Sequence, residues 1–408
     1  MEQNYCAPGA KNEHGSCFTF ELLKKIARDI NTYYKDMGNG KVISNSDINS
    51  NFPNLQRCVH NAYIDLIPDG CKGDHCYLLS DVYKDKNKNA FEDVFKPFVD
   101  DKWYTKPNSW LSTPHIADCL EQLMNVHKDF KWYGASPQDI FHPGVCSAYD
   151  NICNINIKKL LNNGYNKMGI VFNLDDHTQS GSHWVALYSD FKKGGVYYFD
   201  STGRLPQEDS VKLMRKIFNQ GNKLLLNSEH DIDNTHCINC KSECLKKNQF
   251  RVPDKHVNFF VPGSVIEING NRFIIDDRQD NIITLMANQG GGKSSKLHDN
   301  NDKLTDDYNQ FGGFIGKKLS VSLKSFKCFF NKKDHQRKNT ECGVYSIDFI
   351  TKMAGGGSFY ETANKIVRDD EMWTNRYLKY FTPSNWEKHK EIMEAVKETK
   401  RVIKENGE

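Results

Sequence analysis

The chain has 408 residues, enough for two or three domains on length alone. Lys and Arg total 55 against 52 for Asp and Glu, a formal +3 that is too balanced to argue nucleic-acid binding from charge. No run approaches the roughly 18 apolar residues that a membrane span needs, and Met1-Glu2-Gln3-Asn4 lacks the basic-then-apolar opening of a signal peptide. Thirteen cysteines without a secretion signal predict reduced thiols in a cytosolic compartment.

Residues 1–15 are polar and are expected to form a disordered tail. Leu22, Leu23, Ile26, Ile30, Tyr33, Tyr34 and Met37 recur at helical spacing, with Thr19 as N-cap and Gly38-Asn39-Gly40 as the stop. Weaker helical patterns follow, so 16–95 reads as a mainly helical accessory module. Thr113-Pro114 opens a second clear helix, with Thr113 as N-cap and Ile116, Leu120, Leu123 and Met124 as its buried face. After a linker, Met168–Leu174 is a strand of the buried type. Gly181–Tyr188 and Gly195–Ser201 are two more, rich in aromatic and β-branched residues and joined by a Lys-Lys-Gly-Gly turn.

Asp209–Phe218 is helical by pattern. Between about 222 and 320 the pattern changes, and this stretch reads as an insertion. It holds a cysteine cluster, then a hairpin with Asn269-Gly270 as a type I′ turn between Ser264–Ile268 and Arg272–Ile275. A Gly/Ser/Lys/Asn/Asp-rich tract from Gln289 to Asn309 is expected to be mobile. Strand pattern resumes at Leu319–Leu323 and Phe326–Phe330. A helix begins at Cys342 and ends at Gly355-Gly356-Gly357, and 386–408 reads as an exposed, charged C-terminal helix.

Four of these residues carry chemistry. His183 opens one strand and Asp200 closes the next, so antiparallel pairing brings them to one sheet edge. Cys342 starts a helix, where unpaired N–H groups favour thiolate. Glu341 beside it opposes that effect, which leaves most of the activation to His183. A thiol attacker, an imidazole base, a carboxylate that sets the base's tautomer and an amide oxyanion donor (Gln336) make up a thiol-nucleophile site. Singly, each is more often structural: a Cys-Gly at a helix start, a His-Trp pair in packing, a Gln with no role. Their appearance together, in order and on suitable elements, is what favours the catalytic reading.

His183-Trp184, Asp200-Ser201 and Gln336 ahead of Cys342-Gly343-Val344-Tyr345 resemble the ubiquitin-like-protein-specific cysteine proteases, which include the SUMO proteases and the adenovirus maturation protease. Trp110-Leu111 is similar to the segment that opens the catalytic domain in SUMO proteases. Phe172-Asn173-Leu174-Asp175-Asp176-His177, Tyr198–Gly203 and His335–Ser346 resemble thiol proteases of giant and other large DNA viruses more closely still. The resemblance implies an α+β, papain-like cysteine protease fold of the SUMO-protease type with permuted His-Asp-Cys order. It would carry the N-terminal helical module and a long insertion, with the protease domain spanning 100–385. It further implies His183 as general base, Asp200 as its orienter, Gln336 in the oxyanion hole, Cys342 as nucleophile, and Trp184 as a core aromatic or a wall of the substrate cleft. Two departures stand out: Glu341 where Asp is commoner, and the long span between Asp200 and Gln336.

His236, Cys237, Cys240 and Cys244, with His230 nearby, could form a Cys₃His zinc site, but no second Cys pair follows Cys237-x₂-Cys240 and free surface cysteines are the commoner case. Gly290-Gly291-Gly292-Lys293-Ser294 lacks the first glycine and the strand–loop–helix context of a phosphate loop. No cofactor is expected. The resemblance favours an endopeptidase cutting after small, Gly-Gly-like sites in viral structural precursors during virion assembly. Its location would be host cytoplasm or virion, and its partners protein substrates. The alternatives are an isopeptidase that removes SUMO- or ubiquitin-like modifiers, an acetyltransferase using Cys342, and an inactive binding protein.

Overall fold

The computed structural model describes residues 5–9, 15–40, 42–83, 91, 93–227, 230, 232, 238–246, 248–268, 271–286 and 318–405. The chain opens with α1 (Phe20–Asp36), capped by Thr19, whose hydroxyl accepts from the Leu22 N–H. It packs on α2 (Phe52–Tyr63) around Leu23, Ile26, Ile30, Leu55 and Val59, a core separate from that of the main sheet. Residues 5–9, expected within a disordered tail, are ordered instead. Tyr5 and Ala7 are buried, the Tyr5 carbonyl and Ala7 N–H pair with Lys96 and Val94, and Cys6 is joined to Cys17.

Then comes α3 (Thr113–Glu121), whose cap is Ser112 rather than Thr113; the Ser112 side chain and His115 form a reciprocal capping box. Five strands follow the order β1 (Phe130–Pro137), β2 (Lys167–Asn173), β3 (Trp184–Asp190), β4 (Gly195–Phe199) and β11 (Lys327–Phe330). The β2–β3 and β3–β4 pairs are antiparallel, whereas β1 and β11 join in parallel at the two edges. β1 falls in what reads as a linker. Its alternation is broken at Gly134 (φ +109°), where the register to β2 slips.

All seven residues of β3 are buried, because the sheet is covered on both faces. Trp184, Ala186 and Tyr188 face one core; Val185 and Leu187 face the other. The second core includes Leu213 and Ile217 of α4 (Glu208–Leu226), which runs eight residues beyond its expected end.

The region expected as an insertion folds into a closed barrel of six strands, which was not foreseen. These are β5 (Ile238–Lys246), β6 (Gln249–Arg251), β7 (Val265–Ile268), β8 (Asn271–Gln279), β9 (Ile282–Leu285) and β10 (Lys318–Leu323). Strand β10 closes it by pairing with both β5 and β7, around a core of Phe250, Ile266, Phe273, Ile283 and Val321. The expected hairpin is β7–β8, with Ile268 opposite Asn271. Asn269-Gly270, the tract from Gln289 to Asn309, His236 and Cys237 lie outside the described residues; Cys240 and Cys244 have their backbone on β5.

The first core is organised around α5 (Cys342–Ala354), eleven of whose thirteen residues are buried. After α6 (Asp369–Asn375), the chain ends in α7 (Trp386–Glu405). That helix is not simply exposed: His389, Ile392 and Val396 are buried, the last two in the α5 core, a stripe at three- and four-residue spacing. Nor are all thiols free, as was expected. Cys6–Cys17, Cys71–Cys76 and Cys146–Cys153 form disulfides, with their Cα atoms 5.2, 5.9 and 5.3 Å apart, within the range such a bond needs. Among the described residues no helix is long and apolar enough to cross a membrane.

Asp348 on α5 is a buried charge inside this core. Burial alone would raise its pKa, but Lys379 (2.7 Å), Lys352 (2.6 Å) and the Tyr380 hydroxyl (2.5 Å) outweigh burial and hold it below the usual carboxylate range. A carboxyl lowered in the fold adds stability above its unfolded value of about 4 and loses it as pH falls through the folded value. Both lysines are partly exposed, which screens the pairs. Asp348→Asn is therefore expected to cost about 2 kcal/mol at pH 7. Urea unfolding across pH should show the deficit narrowing below about pH 4; a deficit constant down to pH 2 would refute this account.

Candidate active site

The β3–β4 register pairs Ala186 with Phe199, so His183 just before β3 and Asp200 just after β4 meet diagonally at one edge. His183 Nε2 lies 2.7 Å from Asp200 Oδ1. Nε2 is taken by Asp200, and the Cys342 thiol lies near enough to the ring for its interaction to favour the protonated imidazole. Cys342 is the first residue of α5, buried, with its backbone at the positive end of that helix.

Desolvation alone would lower the His183 pKa. Its hydrogen bonds and charge interactions with Asp200 and Cys342 override that and raise it to about 9. Asp200 is fully buried, which opposes its ionisation, yet its pKa is lowered because His183 and Thr202 both donate to it. Oδ1 accepts from the Thr202 N–H and hydroxyl, both at 2.8 Å. Asn331, just past β11, holds the Asp200 backbone from both sides: its Oδ1 accepts from the N–H at 2.8 Å and its Nδ2 donates to the carbonyl at 2.6 Å.

The loop carrying His183 is equally tied. Asn173 Oδ1 accepts from the N–H groups of Asp175 and Ser182, and the Leu174 N–H donates to the His183 carbonyl. Gly181 has φ +95°, and a Cβ there would sit 2.6 Å from Asn173 Nδ2, so only glycine closes this turn. Gly343 serves a different purpose. A Cβ on it would lie 3.0 Å from Leu111 Cβ and 3.4 Å from Trp184 Cδ1, so its lack of a side chain lets the Trp110-Leu111 segment and Trp184 close over the start of α5. Trp184 is buried and donates from Nε1 to the Leu111 carbonyl at 2.9 Å, while Trp110 is exposed.

Gln336 is buried on the 331–341 loop that leads into Cys342; its Oε1 accepts from Ser201 Oγ at 2.7 Å and its Nε2 donates to the Lys338 carbonyl. Glu341 is answered by a residue the sequence reading missed. Arg376, fully buried, places a guanidinium nitrogen 3.4 Å from Glu341 Oε2, so the acid's opposition to thiolate is offset locally. Burial raises the Glu341 pKa and Arg376 pulls the other way. Arg376 also donates to the Pro107 carbonyl and stacks 4.9 Å from the Trp103 ring. Asn331 and Ser201 were missed as well; Ser201 adjoins Asp200, but Arg376 stands 35 residues beyond Glu341 with no local signal.

Two other groups gather ligand-type side chains among the described residues. Cys71 and Cys76, beside His75, are spent in a disulfide. Asp139, beside His142, already accepts from the His177 ring and N–H, which ties two loops together.

Searched for family membership, the chain matches no family model. It is 29% identical over 249 residues to a protein of Acanthamoeba polyphaga mimivirus named, by inference, a thiol protease; the match covers 54% of this chain and 76% of that protein. Among solved structures it is similar to the ASFV (African swine fever virus) protease, at 14% identity and TM-score 0.47, over 93% of this chain and 96% of that one. The SUMO protease Ulp1 is also similar, at 12% identity and TM-score 0.30, over 68% of this chain and 78% of that one.

Chemically, the arrangement sets a thiol nucleophile beside an imidazole that stays protonated near neutral pH and can act as proton donor. Because the raised pKa keeps His183 protonated up to about 9, its capacity as a proton donor should be lost as pH rises through that value. Asp200→Asn removes the charge that sustains the imidazolium. The alkaline limb of kcat/KM, recorded on a turned-over peptide, is expected to move to lower pH with a fall in kcat; an unmoved limb would refute the coupling.

Arg376→Gln is expected to cost about 3 kcal/mol in stability by leaving Glu341 buried without its partner, and to slow alkylation of Cys342 by iodoacetamide at pH 7. Glu341→Gln in the same chain should restore the alkylation rate. No restoration in the double variant would show that the two charges do not offset each other at the thiol.

Proposed function

We propose that the protein is a cysteine endopeptidase. The observation that carries this is a single imidazole bonded to a buried carboxylate and electrostatically coupled to a thiol at a helix start. Cys342 Sγ attacks the scissile carbonyl, and the carbonyl's π electrons move to oxygen. The Cys342 N–H and the Gln336 amide stabilise that oxyanion, and His183 gives its proton to the departing amine. Water, deprotonated by His183, then cleaves the thioester, releasing the acid and returning the thiol.

Small residues next to the scissile bond are the preference we propose with it, and the close packing of Leu111 and Trp184 over Gly343, beside the nucleophile, is compatible with a narrow cleft. The likeness to a mimivirus protein named a thiol protease supports a viral protease; the substrates we propose for it are viral structural precursors, cut during virion assembly in host cytoplasm or virion.

One observation favours a second reading, removal of a folded SUMO- or ubiquitin-like modifier. Phe259, Val261 and Phe330 are exposed around an apolar groove of about 730 Å³ between α4, the barrel and β11, a surface suited to a folded partner.

The test is incubation with Gly-Gly-X peptides, a SUMO-tagged probe and a ubiquitin probe. Turnover is expected on the peptides, lost in Cys342→Ala and His183→Ala, and lowered about 10²–10³-fold in Gln336→Ala. Cleavage of the tagged probes alone selects the second reading. Native-rate cleavage by Cys342→Ala would end both.

A further inference from the structure

We infer that Ser201 is a positioning residue for the oxyanion donor, acting through its hydroxyl on the Gln336 amide; this rests on the reading of Gln336 as that donor. The two side chains are buried in contact: Ser201 is 1% exposed and Gln336 5%. Two bonds join them, and a third joins Ser201 to the neighbouring His335. The Ser201 carbonyl accepts from the N–H of His335 at 2.8 Å and of Gln336 at 2.9 Å, and Ser201 Oγ meets Gln336 Oε1 at 2.7 Å.

The direction of the amide is decided by its other end. Nε2 bonds the Lys338 carbonyl, and a carbonyl can only accept, so the nitrogen must lie on that side and the oxygen must face Ser201. The serine hydroxyl is therefore the donor of that bond. An amide nitrogen carries two hydrogens; one is used on Lys338 and the other remains for an oxyanion. If the serine proton is lost, Oε1 is buried without a donor, and the amide is free to turn away from this orientation.

Ser201 also joins this loop to the base. It directly follows Asp200, which Asn331 clamps, and the turn closes through the Gly203 N–H to the Asp200 carbonyl at 2.8 Å. Gly203 has φ +71°, and a Cβ there would meet the Lys332 and Lys333 carbonyls at 2.8 and 2.9 Å, so the turn lies hard against the 331–336 loop. One short turn thus sets the carboxylate for the imidazole and the amide for the oxyanion.

The experiment separates oxyanion stabilisation from thiolate formation. A peptide ending in Gly-glycinal binds as a hemithioacetal whose oxygen occupies the oxyanion position, whereas iodoacetamide alkylates the sulfur without forming one. In Ser201→Ala, kcat on a Gly-Gly-X peptide is expected to fall about tenfold, part of the 10²–10³ that losing the whole donor costs, and aldehyde affinity to weaken by about the same factor. KM, the iodoacetamide rate and the pH profile should stay as in the native protein. Ser201→Thr, which keeps the hydroxyl, should recover most of both losses.

Should Ser201→Ala fail to fold, Ser201→Cys keeps the volume with a weaker donor and carries the kcat and aldehyde comparison. Native kcat and aldehyde affinity in the folded variant would overturn the inference, as would a parallel fall in the iodoacetamide rate. Unchanged aldehyde affinity in Gln336→Ala would overturn the reading of Gln336 itself and this inference with it. Loss in Gln336→Ala but not in Ser201→Ala would overturn the role of Ser201 alone.

Discussion

A carboxylate with no solvent exposure is expensive unless donors favour its charge, and Asp200 gathers three of them on Oδ1 from two elements, while Oδ2 has no hydrogen-bond partner. His183 reaches it from the head of β3, Thr202 from the turn beyond it, and Asn331 fixes its backbone from the end of β11. The parallel β4–β11 pairing brings these together, because it lays Phe330 beside Tyr198 and so sets Asn331 near Asp200. The charge then favours the protonated form of His183, as does the neighbouring Cys342. Displacing β11 would therefore disturb the base and, through Ser201, the Gln336 loop together.

The nucleophile is placed by packing rather than by polar ties. Helix α5 is buried almost all round, and Val344, Ile347 and Ile350 fill the core under β3 with Ala186 and Tyr188. A helix so enclosed has little freedom to slide, so its first residue is delivered to one place. Two acidic groups lie within or beside that core, each with its own partner, although burial still raises the Glu341 pKa. Asp348 has two lysines and a tyrosine, and Glu341 has Arg376.

How much of this could be read from the sequence follows from where each signal resides. Local patterns predicted α1 with its Thr19 cap, the β2–β4 strands, the β7–β8 hairpin and the start of α5, because turn residues and apolar periodicity are encoded within a few positions. The structure brings His183 and Asp200 together with Cys342 at one point, and puts Gln336 beside Ser201. Other features depend on distant partners. β1 was read as a linker since its Gly134 interrupts the alternation, and the C-terminal helix seemed exposed because three apolar or neutral positions among many charges do not announce a core contact. The barrel escaped because it closes through β10, whose two neighbours lie far back in the chain. The disulfides and Arg376 belong to the same class.

The barrel also explains how so long a segment can separate Asp200 from Gln336 without pulling them apart. A flexible insertion between β4 and β11 would add closure entropy to a contact that must be held within a hydrogen-bond length, though the cost grows only with the logarithm of length. Here much of the intervening chain folds on a core of its own, and α4 packs against the main sheet. The ends are then drawn together by native structure on both sides. Asn222 of α4 accepts from the Phe326 N–H at 2.9 Å and donates to the Gly263 carbonyl, while the Lys324 N–H bonds the Val265 carbonyl of the barrel. The chain thus enters β11 already registered by the helix and the barrel, and the β4–β11 pairing, with the carboxylate and amide it positions, needs no short connection.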